Sequence, residues 1–288
     1  MLFFDLSVYK CILMIYICKR RKEEEDKLMS SLSTISKPQD RPVIATITGD
    51  AGVGKTTLAA TFPNPIFIRI EDGLQAIPEN MRPDAFPVIS KLDELWAQLT
   101  DLIKEPHNYK TVVIDSITQL ETLFGEHVIE QDIKNPKSLA QANGGYGAGY
   151  LAVSALHGRV RKAAKVLNEK RNMNVIFIAH SDVSTIELPD ADPYSRYELR
   201  LHKKSMPHFT DNVDLVSYIK LETFTTGDGE RKKAVSSGNR IAVCYTAAAQ
   251  ISKNRFGIDE DLYVEKGVNP FLPYIPTLVV KQTKKESK

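Results

Sequence analysis

Cysteine is scarce: three residues in 288, with no paired spacing beyond Cys11 and Cys18. A disulfide framework and a zinc ligand set are both excluded, and the chain fits a reducing cytoplasm. Net charge is equally sparse. Thirty-eight Lys+Arg against 36 Asp+Glu leave +2. So weak a global field does not steer a polyanion, and any nucleic-acid contact must come from a local basic patch. A spanning helix is missing too. Leu2 to Cys18 is apolar but interrupted by Asp5 and Lys10, and it falls short of the roughly 20 apolar residues a span needs. The basic run Lys19–Lys22 follows it, the wrong order for a signal peptide. Arg20–Asp26 (RRKEEED) is what a translated purine-rich ribosome-binding site would encode, and Met29 stands a few codons later. Residues 1–28 therefore read as an extension upstream of the true start, with a weak anchor as the alternative, and no membrane partner is expected.

What is present is an ordinary globular balance, 42% hydrophobic and 26% charged, which rules out fibrous and wholly disordered chains. Residues 29–40 are a Ser-, Pro- and Lys-rich lead-in, 41–275 form the domain, and 276–288 are a Lys-rich tail. Within the domain, Val43–Thr48, Pro65–Ile70, Thr111–Asp115 and Asn174–Ala179 are continuous apolar runs. Between them lie helical patterns at Lys55–Phe62, Leu92–Lys104, Ile117 towards Ile133, and Gly149–Arg171. Fully apolar strands alternating with helices imply a parallel sheet covered on both faces, an α/β fold. After Asp182 the pattern turns β-rich at Tyr197–Leu201, Val213–Glu222 and Arg240–Thr246, with Thr226–Gly229 as a turn. No internal repeat is found.

Gly49-Asp50-Ala51-Gly52-Val53-Gly54-Lys55-Thr56 matches G-x-x-x-x-G-K-[ST], directly after a strand and opening a helix. Such a loop turns backbone N–H groups onto the phosphates of ATP. Its lysine, Lys55, reaches the β- and γ-phosphates, and the Thr56 hydroxyl ligates Mg²⁺. Thr57 completes the candidate nucleotide contacts. Asp115, ending TVVID, is the natural second Mg²⁺ partner; a helix-capping role is the alternative. The next residue is Ser116, so the Asp-Glu pair that supplies a water-activating base in many P-loop ATPases is missing. Glu71, at the end of PIFIRI, is the candidate to orient the attacking water, with Asp72 as its rival and a solvated loop acid as the plain alternative.

The order P-loop, strand-Glu (IFIRIEDGL), hhhIDS (VVIDS) and strand-polar (VIFIAH) resembles RecA-type ATPases. The resemblance implies a RecA-like sandwich, Glu71 as the catalytic glutamate and His180 as the γ-phosphate sensor, with a capping histidine as the alternative. Lys253-Asn254-Arg255-Phe256-Gly257 is similar to the K-x-R-x-G hairpin of hexameric RecA-like helicases and clock ATPases. There Lys and Arg reach the neighbour's γ-phosphate, which would make Lys253 and Arg255 catalytic in trans. Arg200, Lys203 and Lys204 compete for that role, and an exposed basic turn is the alternative. The closest resemblance is to phage RecA-like nucleotide-binding proteins that act on single-stranded DNA in annealing or recombination. It rests on GDAGVGKTTLA, E-D-G-L, Tyr146–Tyr150 (YGAGY), Ile178–His180, VDLVSY and K-N-R, over roughly residues 41–260. The partners it implies are single-stranded DNA, further copies of the chain in a ring or filament, and a phage single-strand binding protein, in the host cytoplasm.

The residues themselves give mixed support for DNA. Asn143–Tyr150 (NGGYGAGY) is Gly-rich with two tyrosines suited to base stacking. The following helix carries Arg159, Arg161, Lys162, Lys165, Lys170 and Arg171, either a basic stripe or a solvated face. Asp182–Arg200, where recombinases place a second DNA loop, holds five acids and two bases. A helicase-like motor and a non-hydrolysing switch or scaffold remain open.

Overall fold

The computed structural model describes residues 35–226 and 233–279. The expectations for residues 1–28, for most of the Thr226–Gly229 turn and for the end of the Lys-rich tail lie outside these residues. Residues 35–40 are irregular and exposed; the rest of the description concerns the body from Arg41 onward.

Its elements are β1 (Ile44–Gly49), α1 (Lys55–Ala59), β2 (Pro65–Arg69), β3 (Asp84–Ala85), α2 (Leu92–Lys104), β4 (Thr111–Asp115), α3 (Ile117–Glu130), α4 (Ala148–Arg171), β5 (Asn174–Leu188), β6 (Ala191–Leu199), α5 (Pro207–Thr210), β7 (Leu215–Thr226), β8 (Lys233–Val243), β9 (Lys253–Asn254) and β10 (Leu262–Tyr263). The sheet order is β10-β8-β7-β1-β5-β4-β2-β3. From β7 to β3 every neighbouring pair is parallel, while β8, β9 and β10 join antiparallel. This is the mostly parallel α/β sheet expected from the apolar runs. The P-loop strand β1 lies at its centre, and β5 separates it from the Asp115 strand β4.

Alternate residues of each strand feed two cores, as the pleat requires. Ile66, Ile68, Val112, Ile114, Val175 and Phe177 face the side packed by α2, α3 and α4. Phe67, Val113, Ile176 and Ile178 face the other side. Helices were expected on both faces, but among the described residues the second face has one α-helix, the five-residue α1, and short 3₁₀ turns such as Leu74–Ala76. Its cover comes instead from the C-terminal segment, through Ile258, Leu262, Phe271, Ile275 and Leu278. Leu278 is buried, so packing runs three residues past the expected boundary at 275.

Several elements differ in extent from the sequence pattern, among them β6, β7 and β8, expected at Tyr197–Leu201, Val213–Glu222 and Arg240–Thr246; two of the differences, in α1 and β5, have a local cause. α1 stops at Ala59 rather than Phe62. The Thr61 hydroxyl donates to the Leu58 carbonyl, and Pro63 cannot continue a helix. β5 runs to Leu188 rather than Ala179, because Ser181 to Leu188 pairs with β6 as a ribbon. Much of that half of the strand is exposed, so it has no continuous apolar run to reveal it.

Candidate nucleotide site

The site forms at the carboxyl edge of the sheet, where β1, β2 and β4 end beside the middle of β5. β1 delivers Gly49 at φ 152°, where a Cβ would stand 2.3 Å from the Ile219 carbonyl oxygen. No side chain fits there, so the chain turns on glycine. Gly54 precedes α1 in a left-handed conformation (φ 100°), which releases the loop into the helix. Lys55 is buried, and its Nζ donates to the Gly49 and Asp50 carbonyls at 2.8 Å each. Burial pulls its pKa down, against the opposing pull of Asp115, Glu71 and Asp50.

The Thr56 hydroxyl donates to Asp115 Oδ2 at 2.8 Å. Asp115 is 7% exposed. Burial first, and the nearby Glu71 charge after it, push its pKa up to about 6 against the Thr56 hydrogen bond. The capping alternative for Asp115 does not hold. The N-cap of α3 is Ser116, which accepts from the Gln119 amide at 3.2 Å. A hydroxyl and a carboxylate side by side suit a small hard cation such as Mg²⁺, which is usually held by one or two carboxylates plus substrate phosphates. Among the described residues there is no larger His/Cys/Asp/Glu cluster able to hold a metal by itself.

Glu71 follows β2. Its carboxylate accepts from the Ser116 hydroxyl and lies 3.5 Å from His180 Nε2. The hydrogen bond to His180 is the largest influence and holds its pKa below the usual glutamate value, with partial burial opposing and Ser116 reinforcing. Asp72 turns away, bound to Arg69 at 2.9 Å and to Gln75 at 3.0 Å. The register thus favours Glu71 over its rival. His180, in mid-β5, donates its backbone amide to the Thr118 hydroxyl at 2.9 Å, and its buried Nδ1 has no partner. Lys55, Thr56, Thr57, Glu71, Asp115 and His180 line one cavity of about 320 Å³, with Ala51, Gly52 and Gly54 of the loop. Val53 packs into the core beneath, and Asp50 accepts from the Ser181 hydroxyl at 2.6 Å.

Two contributors had little sequence signal. Ser116 marked only a missing glutamate, yet its hydroxyl holds Glu71. Arg200 stood among the rivals for a role in trans. Here its amide donates to the His180 carbonyl at 2.8 Å and its Nη2 to the Ser181 carbonyl at 3.1 Å. Its charge is felt at Lys55 of the same chain.

Lys253 and Arg255 stand elsewhere. Lys253 Nζ donates to the Thr210 and Asp211 carbonyls. Arg255 pairs with Asp214 at 3.0 Å, at the amino edge of the sheet where Arg41 and the Ile44 amide also bind Asp214. The supposed basic stripe of α4 is largely engaged within the chain. Arg159 covers the Trp96 ring at 4.3 Å. Arg161 and Arg171 donate to the Asn212 and Glu105 carbonyls, and Lys165 pairs with Glu169 at 3.6 Å. Of the two loop tyrosines, Tyr150 stacks on His202 at 4.2 Å between centroids. Tyr146 is fully exposed at φ 51° between glycines. No helix among the described residues is long and apolar enough to cross a membrane.

A family model described as an AAA domain matches residues 41–256. The SPbeta prophage-derived uncharacterized protein YorG of Bacillus subtilis (strain 168) is 24% identical over 216 residues, 73% of this chain. The match spans 59% of that relative's length. A crystal structure of the RadB recombinase is similar at 16% identity and a TM-score of 0.45, over 81% of this chain and 92% of that one. The chain belongs to the AAA domain family, and its central P-loop strand, mostly parallel sheet and carboxyl-edge site make the RecA-like P-loop fold that the motif order implied.

Proposed function

We propose that the protein is an Mg²⁺-dependent ATPase of a phage, acting on single-stranded DNA in recombination or strand annealing. The convergence of Lys55, Thr56, Asp115, Glu71 and His180 on one cavity carries the ATPase reading. In it, the loop amides bind the phosphates, and Lys55 leaves the Gly49 and Asp50 carbonyls for the β- and γ-phosphate oxygens. Thr56 and Asp115 hold Mg²⁺, which when bound neutralises phosphate charge. Glu71, fixed by Ser116 and His180, orients a water. The water oxygen attacks the γ-phosphorus in line, the bond to the β-phosphate oxygen breaks, and the water proton passes to the Glu71 carboxylate. ADP and inorganic phosphate leave. His180, one residue before Ser181 and the β5–β6 ribbon, relays loss of the γ-phosphate to that ribbon.

The remaining charge needs a cation near the γ-phosphate. Arg200 is favoured in cis by its bonds to the two residues at the site's edge, His180 and Ser181. Lys253 or Arg255 of a neighbouring copy is the trans alternative in a ring or filament. For DNA, the fully exposed Tyr146 on its glycine-flanked loop supports base stacking, worth about 1–3 kcal/mol per base in single-strand binders. The acidic β5–β6 ribbon offers phosphate no attraction. The prophage origin named for the YorG relative supports a phage setting, with single-stranded DNA, more copies of the chain and a phage single-strand binding protein as partners in the host cytoplasm.

The test is ATP turnover with and without Mg²⁺ and single-stranded DNA. Turnover that needs Mg²⁺ and rises with DNA is the expected result. Tight ATP binding without turnover would replace the enzyme by a nucleotide switch. Turnover indifferent to DNA, together with no DNA binding, would remove the DNA role.

A further inference from the structure

The cavity around Lys55 does not stand alone. Gly54, Thr57 and Ala76 line both it and a neighbouring cavity of about 240 Å³. Each lies near the lower end of the range for small-molecule clefts, roughly 300–1,000 Å³, and together they fall within it. Beyond the shared residues the second cavity is walled by Leu58, Pro78, Arg240, Val264, Glu265 and Lys266. Its chemistry differs from that of the first. Leu58, Pro78 and Val264 give it apolar surface, and its charged residues, Arg240, Glu265 and Lys266, include a single carboxylate.

The walls are fixed by the fold. The Val264 amide donates to the Arg240 carbonyl at 2.8 Å, tying the C-terminal segment to β8. Gly267 passes so near Met81 that a Cβ there would stand 2.9 Å from the methionine methyl group. The C-terminal segment is thus pressed onto the short helical turns that carry Ala76 and Pro78. Arg240 reaches over the phosphate loop, its Cδ and Nε each 3.5 Å from where a Cβ on Gly54 would stand. Among the described residues no carboxylate pairs with Arg240, and neither Glu265 nor Lys266 has an ion-pair partner.

We propose that this second cavity is the nucleoside site, taking the base and ribose of an amino-purine nucleotide, with Arg240 covering the base and Glu265 accepting from its amino group. A phosphate chain seated in the loop must place its nucleoside beside the loop, and this cavity shares three wall residues with the phosphate cavity. An ionised carboxylate only accepts hydrogen bonds, so it favours a base with an exocyclic amine and opposes the carbonyl edge of uracil. A planar guanidinium stacks on aromatic faces, and a two-ring base offers it more area than a pyrimidine. Val264, Glu265 and Lys266 lie beyond the family-matched residues 41–256. The choice of nucleotide therefore resides partly in this chain's own C-terminal segment. The inference rests on the reading of the loop as a nucleotide site.

The experiment measures binding of ATP, GTP, UTP and inorganic tripolyphosphate, each with Mg²⁺, to the full chain and to Arg240→Ala, Glu265→Gln and Lys55→Ala. Wild type should hold ATP or GTP at least about tenfold tighter than tripolyphosphate or UTP, the weight of one good stacking or hydrogen-bond contact. Arg240→Ala and Glu265→Gln should each shrink that preference while leaving tripolyphosphate affinity and the nucleotide-free melting temperature unchanged. UTP binding as tightly as both purines, an unchanged preference in both variants, or equal loss of tripolyphosphate in Arg240→Ala would overturn the proposal. Failure of the underlying reading looks different: Lys55→Ala would then bind tripolyphosphate as well as wild type does.

Discussion

At the amino edge of the sheet, Asp214 accepts from Arg41 at 2.8 Å, from Arg255 at 3.0 Å and from the Ile44 amide at 3.1 Å. At the other end of β1, roughly 16 Å away by strand rise, Lys55 rests on two carbonyls, and Asp115 is buried with only the Thr56 hydroxyl as partner. Both clusters hold the same kinds of residue. In the first, one buried carboxylate ties two half-exposed arginines and the Ile44 amide together, which joins β1 to the start of β7. The second leaves a buried cation and a buried carboxylate facing a cavity, each with its pKa displaced towards the neutral form. Perturbed groups around a cavity are the pattern of a functional site, whereas a carboxylate shared between strand ends is the pattern of a joint.

The hardest test of this contrast is Lys55→Ala. Nucleotide binding and all activity that depends on it should vanish, measured by equilibrium binding of ATP with Mg²⁺, because no other loop residue offers a positive charge. Normal affinity would mean that the carboxyl edge is as structural as the amino edge. Next in size is Glu71→Gln. ATP affinity should persist while turnover falls by about 10²–10⁴, the usual weight of a general base. Asp72→Asn should leave turnover near wild type, since Asp72 already binds Arg69 and Gln75. A reversed pair of results would shift the base by one residue.

The sequence showed the carboxyl edge more clearly than the amino edge for a physical reason. Phosphate binding constrains consecutive residues, so Gly49 to Thr56 form a local pattern, and buried parallel strands announce themselves as apolar runs. Asp115 and Glu71 were legible because each ends such a run. Asp214 and Arg255 meet across 41 positions, and no local spacing foretells that. Arg200 and Ser116 act through bonds to neighbours that only the sheet order brings together. The charges on α4 stayed ambiguous between a stripe and a solvated face because charge along a helix does not reveal direction: Arg159 and Arg161 turn to Trp96 and the Asn212 carbonyl.

Exchanging the roles of the two edges is the third test. Arg255→Ala should lower stability by no more than about 1 kcal/mol, the weight of an ion pair with a half-exposed partner, and keep most turnover. Arg200→Ala should keep ATP affinity and stability but slow turnover, and mixing it with Lys55→Ala subunits should restore nothing, because the missing cation acts in cis. If instead Arg255→Ala is the slow enzyme, and mixing with Lys55→Ala recovers turnover, the amino edge of one copy completes the site of the next. Fingers supplied in trans are worth roughly 10³–10⁵, so that outcome would be plain.

His157 sets the limit of the contrast, because it is buried, unpaired and yet no part of the site. It is fully buried on α4 between Phe124 and Phe209, at centroid distances of 4.8 and 5.2 Å. Neither ring nitrogen has a hydrogen-bond partner, and the nearest carboxylate oxygen, on Glu121, is 3.9 Å away. Burial, with a smaller push from His208, lowers its pKa to about 3. Between that value and the unfolded value of about 6.5, only the unfolded chain binds the proton. The contribution is thus intact above pH 6.5 and lost as pH falls, by up to about 1.4 kcal/mol per pH unit. Urea midpoints at pH 7.5, 6 and 5 should fall in that order for wild type. His157→Phe should flatten the decline, with nucleotide affinity at pH 7.5 untouched. Should the wild-type midpoint rise on acidification and Glu121→Gln abolish the rise, His157 and Glu121 form an ion pair. The helical face would then hold a charge joint like that at Asp214, in place of a neutral ring packed for its shape.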